Sequence, residues 1–347
     1  ADAREQYSPE VRTPRREAPC RVLRGMLWIA ELRPLAQHPV GSIQRREIAT
    51  IVAAIHRSGR ERHAAHLCEV IRPMWTWLAA DAQQIRSGVL GGDMSLLRPP
   101  EKTNREGAET TTHLPAIPEL GRFLALIKAG VLDQTFSDAL LLLLYTVQRR
   151  RAVASARIAD FVTEDDGGLT WQLPPLHRKT GRGKSRTHDL PLPDAVAAMV
   201  RRRVKANAEA EDESPWLFPA LRPRRKGDAT SHIHADSLTH ALADLPGIIA
   251  SPHDLRRGFA THLEELAGLP LAMLKTVLDH SEGHSPGDVT DVHYSRARRL
   301  TPKAAILGKW STLIEGAAAK IVMGDVAAIK KAITANRTAR AKKRKAA

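Results

Sequence analysis

The sequence predicts a mainly α protein with a small β-sheet, organised as a helical N-terminal domain followed by a larger α+β domain. Three observations carry this. Apolar residues recur at three- and four-residue steps over most of the chain, as at Ile48, Ile51, Val52 and Ile55, which is the period of a helix with one buried face. Two short stretches, Leu169–Leu173 and Thr187–Leu192, read instead as strands, and the turn-rich Lys179-Thr180-Gly181-Arg182-Gly183-Lys184 between them suits a hairpin with a long loop. The segment Leu97–His113 has no periodicity, and 347 residues at roughly 150 per domain suggest about two domains.

In chain order, residues 1–15 are polar and rich in Pro and Arg, and read as a flexible arm. Residues 16–95 are helical: Ile43 to Ile55 marks one helix, and Glu61–Arg72, continuing to Leu78, a second. Residues 96–115, with Arg98-Pro99-Pro100 and Thr110-Thr111-Thr112, form the linker. The larger domain, 116–315, opens with helices over Leu120–Ala129 and Ser137–Val147. After the hairpin, helices are expected at Ala195–Ala208, Ala235–Leu245, Pro252–Leu266, Leu271–Leu278, Asp288–Arg296 and Pro302–Ile314. Residues 316–347 form a C-terminal helix and basic tail. No acid follows Asp325, so the tail is expected to be a solvated helix fraying into disorder.

Composition narrows the function. Lys and Arg number 53 against 38 Asp and Glu, a net charge of +15, which points to a polyanionic partner. The basic residues are 38 Arg and 15 Lys, and the planar Arg fork suits phosphate. Aromatic residues make up 4%, too few for a single-strand binder built on stacking. Two cysteines, Cys20 and Cys68, exclude a disulfide framework and a four-cysteine zinc module, and fit a reducing compartment. The longest apolar run, Ala139–Tyr145, is far short of the ~18 residues a membrane span needs. The N-terminus shows no secretory signal, and its lack of an initiator Met points to trimming.

Several motifs fail on context. Gly183-Lys184-Ser185 ends like a phosphate-binding loop, but the required first Gly is Arg178 and the setting is strand–turn–strand. His63/His66 and His232/His234 have metal-like spacing without an accompanying carboxylate or Cys cluster, so they read as structural or surface histidines. More informative is Ser251-Pro252-His253-Asp254-Leu255-Arg256-Arg257, where Ser251 and Asp254 form a capping box and Pro252 fits the first helical position. His253 and Arg256 then share one face near a helix N-terminus, a setting that favours an anion. A capped surface helix would look the same. Arg149, Arg150 and Arg151 leave an apolar helix, as either a solvated end or a phosphate clamp. Lys179 is a cation at the hairpin tip. Of three tyrosines, Tyr294 alone lies in a polar, basic stretch near the chain end.

The order Arg149, Lys179, His253-x-x-Arg256, His280, Tyr294 resembles the tyrosine recombinase (phage integrase) family, over about residues 116–315. Thr146-Val147-Gln148-Arg149 resembles the first arginine box, and Asp160 falls where the family opens a strand. Arg178-Lys179-Thr180 resembles the hairpin lysine, and His253-Asp254-Leu255-Arg256-Arg257 the second box. Leu278-Asp279-His280 resembles the family's Leu-x-His, Tyr294 takes the nucleophile position, and Trp310 fits the integrase-like branch. Val147 stands for a usual Gly, Ala152 for the usual acid three residues after the first Arg, and Gly258 where Thr is common.

The resemblance implies a two-domain DNA clamp, with residues 16–95 as the core-binding domain and an arm-binding domain absent or cut to residues 1–15. It implies strand exchange through a 3′-phosphotyrosine on Tyr294, with no metal or other cofactor. Arg149, Lys179, His253, Arg256 and His280 would serve the phosphate and the protons. Arg150, Arg257, Lys184, Lys342, Lys343, Arg344 and Lys345 would contact the DNA. The implied partners are double-stranded DNA, three further copies in a homo-tetramer through residues 316–335, and a possible accessory DNA-bending or directionality protein, but no membrane. The implied setting is a mobile genetic element in the cytoplasm, at the nucleoid in a bacterium. Two rival readings are a type IB topoisomerase and a DNA-binding protein that has lost catalysis.

Overall fold

The structure is a computed structural model that describes residues 25–101, 112–177, 187–211, 213–223, 231–279 and 297–346, with side chains to Lys342. The chain divides into two compact units, Ala1–Thr110 and Thr111–Ala347.

In the first unit, helices α1 (Arg45–Arg57), α2 (Glu61–Leu78) and α3 (Asp81–Ser87) follow one another through links of two or three residues, with two 3-10 turns before α1 and one after α3. Glu47 accepts the Gln44 backbone N–H at 2.7 Å and closes the start of α1. Ile48, Val52 and Ile55 of α1 pack with Leu67, Cys68, Ile71 and Met74 of α2. Ile43 and Ile51, expected on the same stripe, lie at its edge and are half-buried.

In the second unit, α4 (Ile117–Lys128) and α5 (Gln134–Thr146) open the chain, followed by a single turn, α6 (Arg150–Ala154). Three antiparallel strands follow: β1 (Phe161–Thr163), β2 (Leu169–Leu173) and β3 (His188–Pro191), in that spatial order. Trp171 pairs with Phe161 on one side and Leu190 on the other. The sequence reading found β2 and β3. It missed β1, whose three half-exposed or exposed residues carry no alternation to read. Asp160 does lie immediately before β1.

The remaining helices are α7 (Asp194–Ala208), α8 (Ala235–Asp244), α9 (Pro252–Ala267), α10 (Leu271–Leu278), α11 (Leu300–Ala319) and α12 (Val326–Ala346). The helix expected at Asp288–Arg296 lies outside the described residues, as does the arm at 1–15.

Helix α5 is apolar nearly all round because it is surrounded: Leu140, Leu142, Leu143, Leu144 and Tyr145 are all fully buried. Trp310 of α11 donates its indole N–H to the Leu144 carbonyl at 2.8 Å and meets Phe259 of α9 edge-on at 5.4 Å. One tryptophan therefore ties three helices together. Helices α4 and α11 approach so closely at Gly121 that a Cβ there would come within 2.6 Å of the Ala317 backbone.

The C-terminal segment differs from the expected frayed tail. Helix α12 runs to Ala346 and packs on the chain's own α8. Ile333 is buried in the core, and Arg340 forks onto both carboxylate oxygens of Asp244 at 3.1 and 2.7 Å. Asn336 donates to the Asp244 carbonyl at 3.0 Å. The basic composition concealed this because a single buried isoleucine and one acid on another helix supply the anchor.

The Gly121 contact yields a test. Gly121→Ala should destabilise the second unit by about 1–3 kcal/mol, the cost of overpacking a closed crossing. Gly308→Ala, on the exposed side of α11 with no atom near its Cβ position, should stabilise it by about 0.5–1 kcal/mol. Urea unfolding midpoints that move in the same direction for both variants would show that the crossing is not close.

Candidate active site

The site grows from the end of α5. Thr146 returns its hydroxyl to the Leu142 carbonyl at 2.6 Å. Val147 then turns the chain in the left-handed conformation, φ 48, with its N–H on the Leu143 carbonyl at 2.9 Å. Glycine reaches this region freely, whereas a β-branched residue carries strain of about 1–3 kcal/mol there. This explains why a glycine suits the position and why Val147 is unusual at it. The valine side chain is fully buried, so core packing offsets the strain. After the turn, Arg149 is the N-cap of α6 and its side chain is 26% exposed.

The second cluster folds as the sequence predicts. Ser251 Oγ accepts the Asp254 N–H at 3.3 Å, and Asp254 accepts the Ser251 N–H at 2.9 Å. Although burial works to raise it, the Ser251 bonds and the nearby Arg257 guanidinium hold the Asp254 carboxyl below its ordinary value. Glu119 of α4 accepts the N–H groups of Ile249 and Ala250 at 2.7 and 2.8 Å, which fixes the approach to this helix start.

Arg256 is the most buried charge of the cluster, 4% exposed. One Nη donates to the Val147 carbonyl and the other to the Leu278 carbonyl. Burial, reinforced by the positive charge of Arg149, pushes its pKa down to about 10. Each Nη of Arg256 therefore serves the frame that holds the site together.

The end of α10 is the meeting point. Gln148, fully buried, donates to the Val277 carbonyl at 2.9 Å, and His188 of β3 lies 3.0 Å from the same oxygen. Arg256 takes the next carbonyl, Leu278. Asp279 follows in the left-handed conformation, φ 52, with its carboxylate 3.8 Å from Arg149 Nη1. Further along, Arg298 binds Glu164 at 2.6 and 2.9 Å and also the Asp189 carboxylate. Buried Lys303 donates to the Asp189 carbonyl at 2.8 Å, so the start of α11 is fastened to the strand that carries His188.

Of the six residues expected to do chemistry, Arg149, His253 and Arg256 share one electrostatic neighbourhood. Partial desolvation, then the positive charges of Arg257, Arg256 and Arg149, hold the His253 imidazole below its ordinary pKa of 6.5. Lys179, His280 and Tyr294 lie outside the described residues, as does Lys184. The side chains of Lys343, Arg344 and Lys345 do too.

Among the expected DNA contacts, Arg150 is held by Asp236 at 2.8 Å and Thr239 at 2.5 Å, and Arg257 by Asp254 at 2.6 Å. Lys342 is exposed on α12. The residues that sequence reasoning missed are Gln148, His188, Asp279 and Arg298. Gln148 and Asp279 stand inside quoted motifs, but nothing local marks His188 or Arg298.

The second histidine pair makes local structural contacts. His234 accepts the Asp236 N–H at 3.2 Å as the α8 cap, and His232 meets Trp216 edge-on. Among the described residues there is no metal-ligating cluster and no helix long and apolar enough to cross a membrane.

With this geometry in view, comparison with known proteins is informative. The model of the phage integrase family matches residues 119–295, just over half of the chain. The chain is 36% identical over 102 residues to tyrosine recombinase XerD of Caulobacter vibrioides, covering 26% of this chain and 31% of that protein. It is 30% identical over 120 residues to tyrosine recombinase XerA of Thermococcus kodakarensis, covering 35% and 41%. The matches thus span less than half of these curated relatives. The fold resembles a lambda integrase tetramer bound to a Holliday junction, with TM-score 0.53 and 14% identity over 82% of this chain and 76% of that one. The chain belongs to the phage integrase family, the tyrosine recombinases, whose members cleave and rejoin DNA.

The neighbourhood of His253 can be titrated. Its folded pKa lies below 6.5, so the folded state holds this proton less tightly than the unfolded chain. The imidazole's contribution to stability is therefore complete above 6.5 and is lost as pH falls from there toward the folded value. By NMR, the His253 ring should titrate below 6.5, and Arg257→Gln should raise the midpoint by removing one cation. A midpoint above 6.5 would contradict the partial burial of the ring and the influence of the three nearby cations.

Proposed function

We propose that this protein is a site-specific DNA recombinase that cleaves and rejoins strands through a 3′-phosphotyrosine on Tyr294. The observation that supports the reading is the convergence of Arg149, His253 and Arg256 in a family-member fold.

In the proposed reaction, the Tyr294 hydroxyl oxygen forms a bond to a backbone phosphorus and the bond to the 5′ oxygen breaks. An unperturbed phenol has a pKa of about 10, so the attack needs a proton acceptor and cations close by. His253, held neutral near pH 7 by its surroundings, takes the phenol proton. Arg149 and Arg256 hold the non-bridging oxygens and stabilise the charge that develops there. Lys179 protonates the departing 5′ oxygen, and His280 donates a hydrogen bond to the phosphate. The covalent intermediate keeps the bond energy, so the 5′ hydroxyl of a second strand can reverse the step without ATP.

Double-stranded DNA is the substrate, and the working form is a homo-tetramer on paired sites. Lys184, Lys342, Lys343, Arg344 and Lys345 add backbone contacts. Arg150 and Arg257 contribute through the field they share with Asp236 and Asp254. An accessory DNA-bending protein, a mobile element as the origin of the sites, and a cytoplasmic setting complete the reading.

The decisive experiment uses a nicked suicide duplex carrying a site selected from random DNA by the protein itself. Wild type should form a denaturant-stable adduct, and Tyr294→Phe should bind equally but form none. An adduct with Tyr294→Phe would reject the nucleophile. Strand transfer between two sites, rather than relaxation of supercoils alone, separates recombinase from topoisomerase.

Two further outcomes are expected. With about 6–10 phosphate contacts, affinity should fall by roughly 10³–10⁵ between 50 and 200 mM salt; a flat response would reject DNA as the main partner. A bridging 5′-phosphorothiolate, whose leaving group needs little protonation, should rescue cleavage by Lys179→Ala and leave Arg256→Ala unrescued. Equal rescue of both would remove Lys179 as the acid.

A further inference from the structure

Arg149 and Arg256 bring two guanidinium groups together before any phosphate is present, and their charges oppose one another. Such a pair needs an anion in the free protein, or Arg149, the more exposed of the two, will swing away. The helix on which Arg149 stands supplies none, since α6 reads Arg-Arg-Ala-Val-Ala and its Ala152 is buried in the core.

Asp279 places a carboxylate beside this pair, and its position has no local justification. It caps the C-terminus of α10, where the helix dipole disfavours negative charge. Its backbone is left-handed, and its side chain is only 6% exposed. Burying a carboxylate there is costly unless a cation compensates it. The cations that do so belong to the site: Arg149 Nη1 stands 3.8 Å away, and the Asp279 charge raises the affinity of Arg256 for its proton.

We infer that Asp279 is a positioning residue that holds Arg149 beside Arg256 in the DNA-free protein, supplying from the end of α10 the carboxylate that Ala152 does not. The inference rests on Arg149 and Arg256 being the phosphate ligands. At 3.8 Å the pair is longer than a charge-assisted hydrogen bond of about 2.7–2.9 Å. Arg149 can therefore turn to an incoming phosphate without breaking a short bond to Asp279.

Asp279→Asn isolates the charge, because Asn tolerates the left-handed backbone about as well as Asp. If the variant folds poorly, Asp279→Gly removes the same charge with no conformational cost. On the nicked suicide duplex, Asp279→Asn should bind as tightly as wild type or tighter, because the site gains net positive charge. Its single-turnover adduct formation should slow by roughly 10- to 100-fold, the order that a misplacement of about 1 Å costs.

In an Arg149→Gln background the same substitution should change the residual rate by less than roughly threefold, because the charge pair it breaks is already gone. The inference is overturned if Asp279→Asn cleaves at the wild-type rate, or if binding falls in parallel with cleavage. An equal loss in both backgrounds overturns it too, since that marks a merely structural role. A wild-type protein that forms no adduct would instead remove the recombinase reading beneath it.

Discussion

The last carbonyl groups of α10 organise this site. A helix C-terminus leaves four carbonyls without partners in the helix. Here two of them are met by side chains from three separate segments: Gln148 after α5, His188 on β3, and Arg256 on α9. Each bond removes a buried unsatisfied acceptor and at the same time fixes where a segment carrying chemistry begins. Losing the Arg256 bond, or both bonds to Val277, would leave a buried carbonyl without these partners, a penalty of about 1–3 kcal/mol. The geometry of the site and the stability of the second unit are therefore one problem.

Arg256 is the centre of this arrangement because it works in two directions. Its bond to the Val147 carbonyl holds the left-handed turn that aims Arg149, and its bond to Leu278 holds the approach to Asp279 and His280. Burial of a guanidinium is expensive, and its lowered pKa of about 10 records that cost. It stays charged at neutral pH all the same, as the proposed role of phosphate ligand requires. Partial burial, then the same crowd of cations, holds the His253 pKa below its ordinary value.

Much of the fold was legible because local signals and tertiary packing agree. Leu169–Leu173 and Leu271–Leu278 carry patterns that match their final elements end to end. The Ser251 capping box sets the start of α9 from four residues alone. Where local signal was thin, the reading missed. Strand β1 is three residues long and draws its stability from pairing with β2 and from Phe161 stacking on Trp171. Helix α6 is a single turn after a left-handed break. The docking of α12 depends on Asp244, nearly a hundred residues away, and no period within the tail could announce it.

The sequence by itself determined the class of the protein: the spacing of Arg149, His253, Arg256, His280 and Tyr294, the helical period of both units, and a charge balance suited to a polyanion. These are legible because helix periodicity, capping chemistry and motif order are properties of near neighbours in the chain. Only the tertiary structure decided which residues hold the site together. It turned Arg256 into a backbone clamp, brought His188 to the end of α10, and set Asp279 against Arg149. Those contacts join segments up to 130 residues apart, and a buried carbonyl or an uncompensated guanidinium has no demand to make until the chain has folded around it.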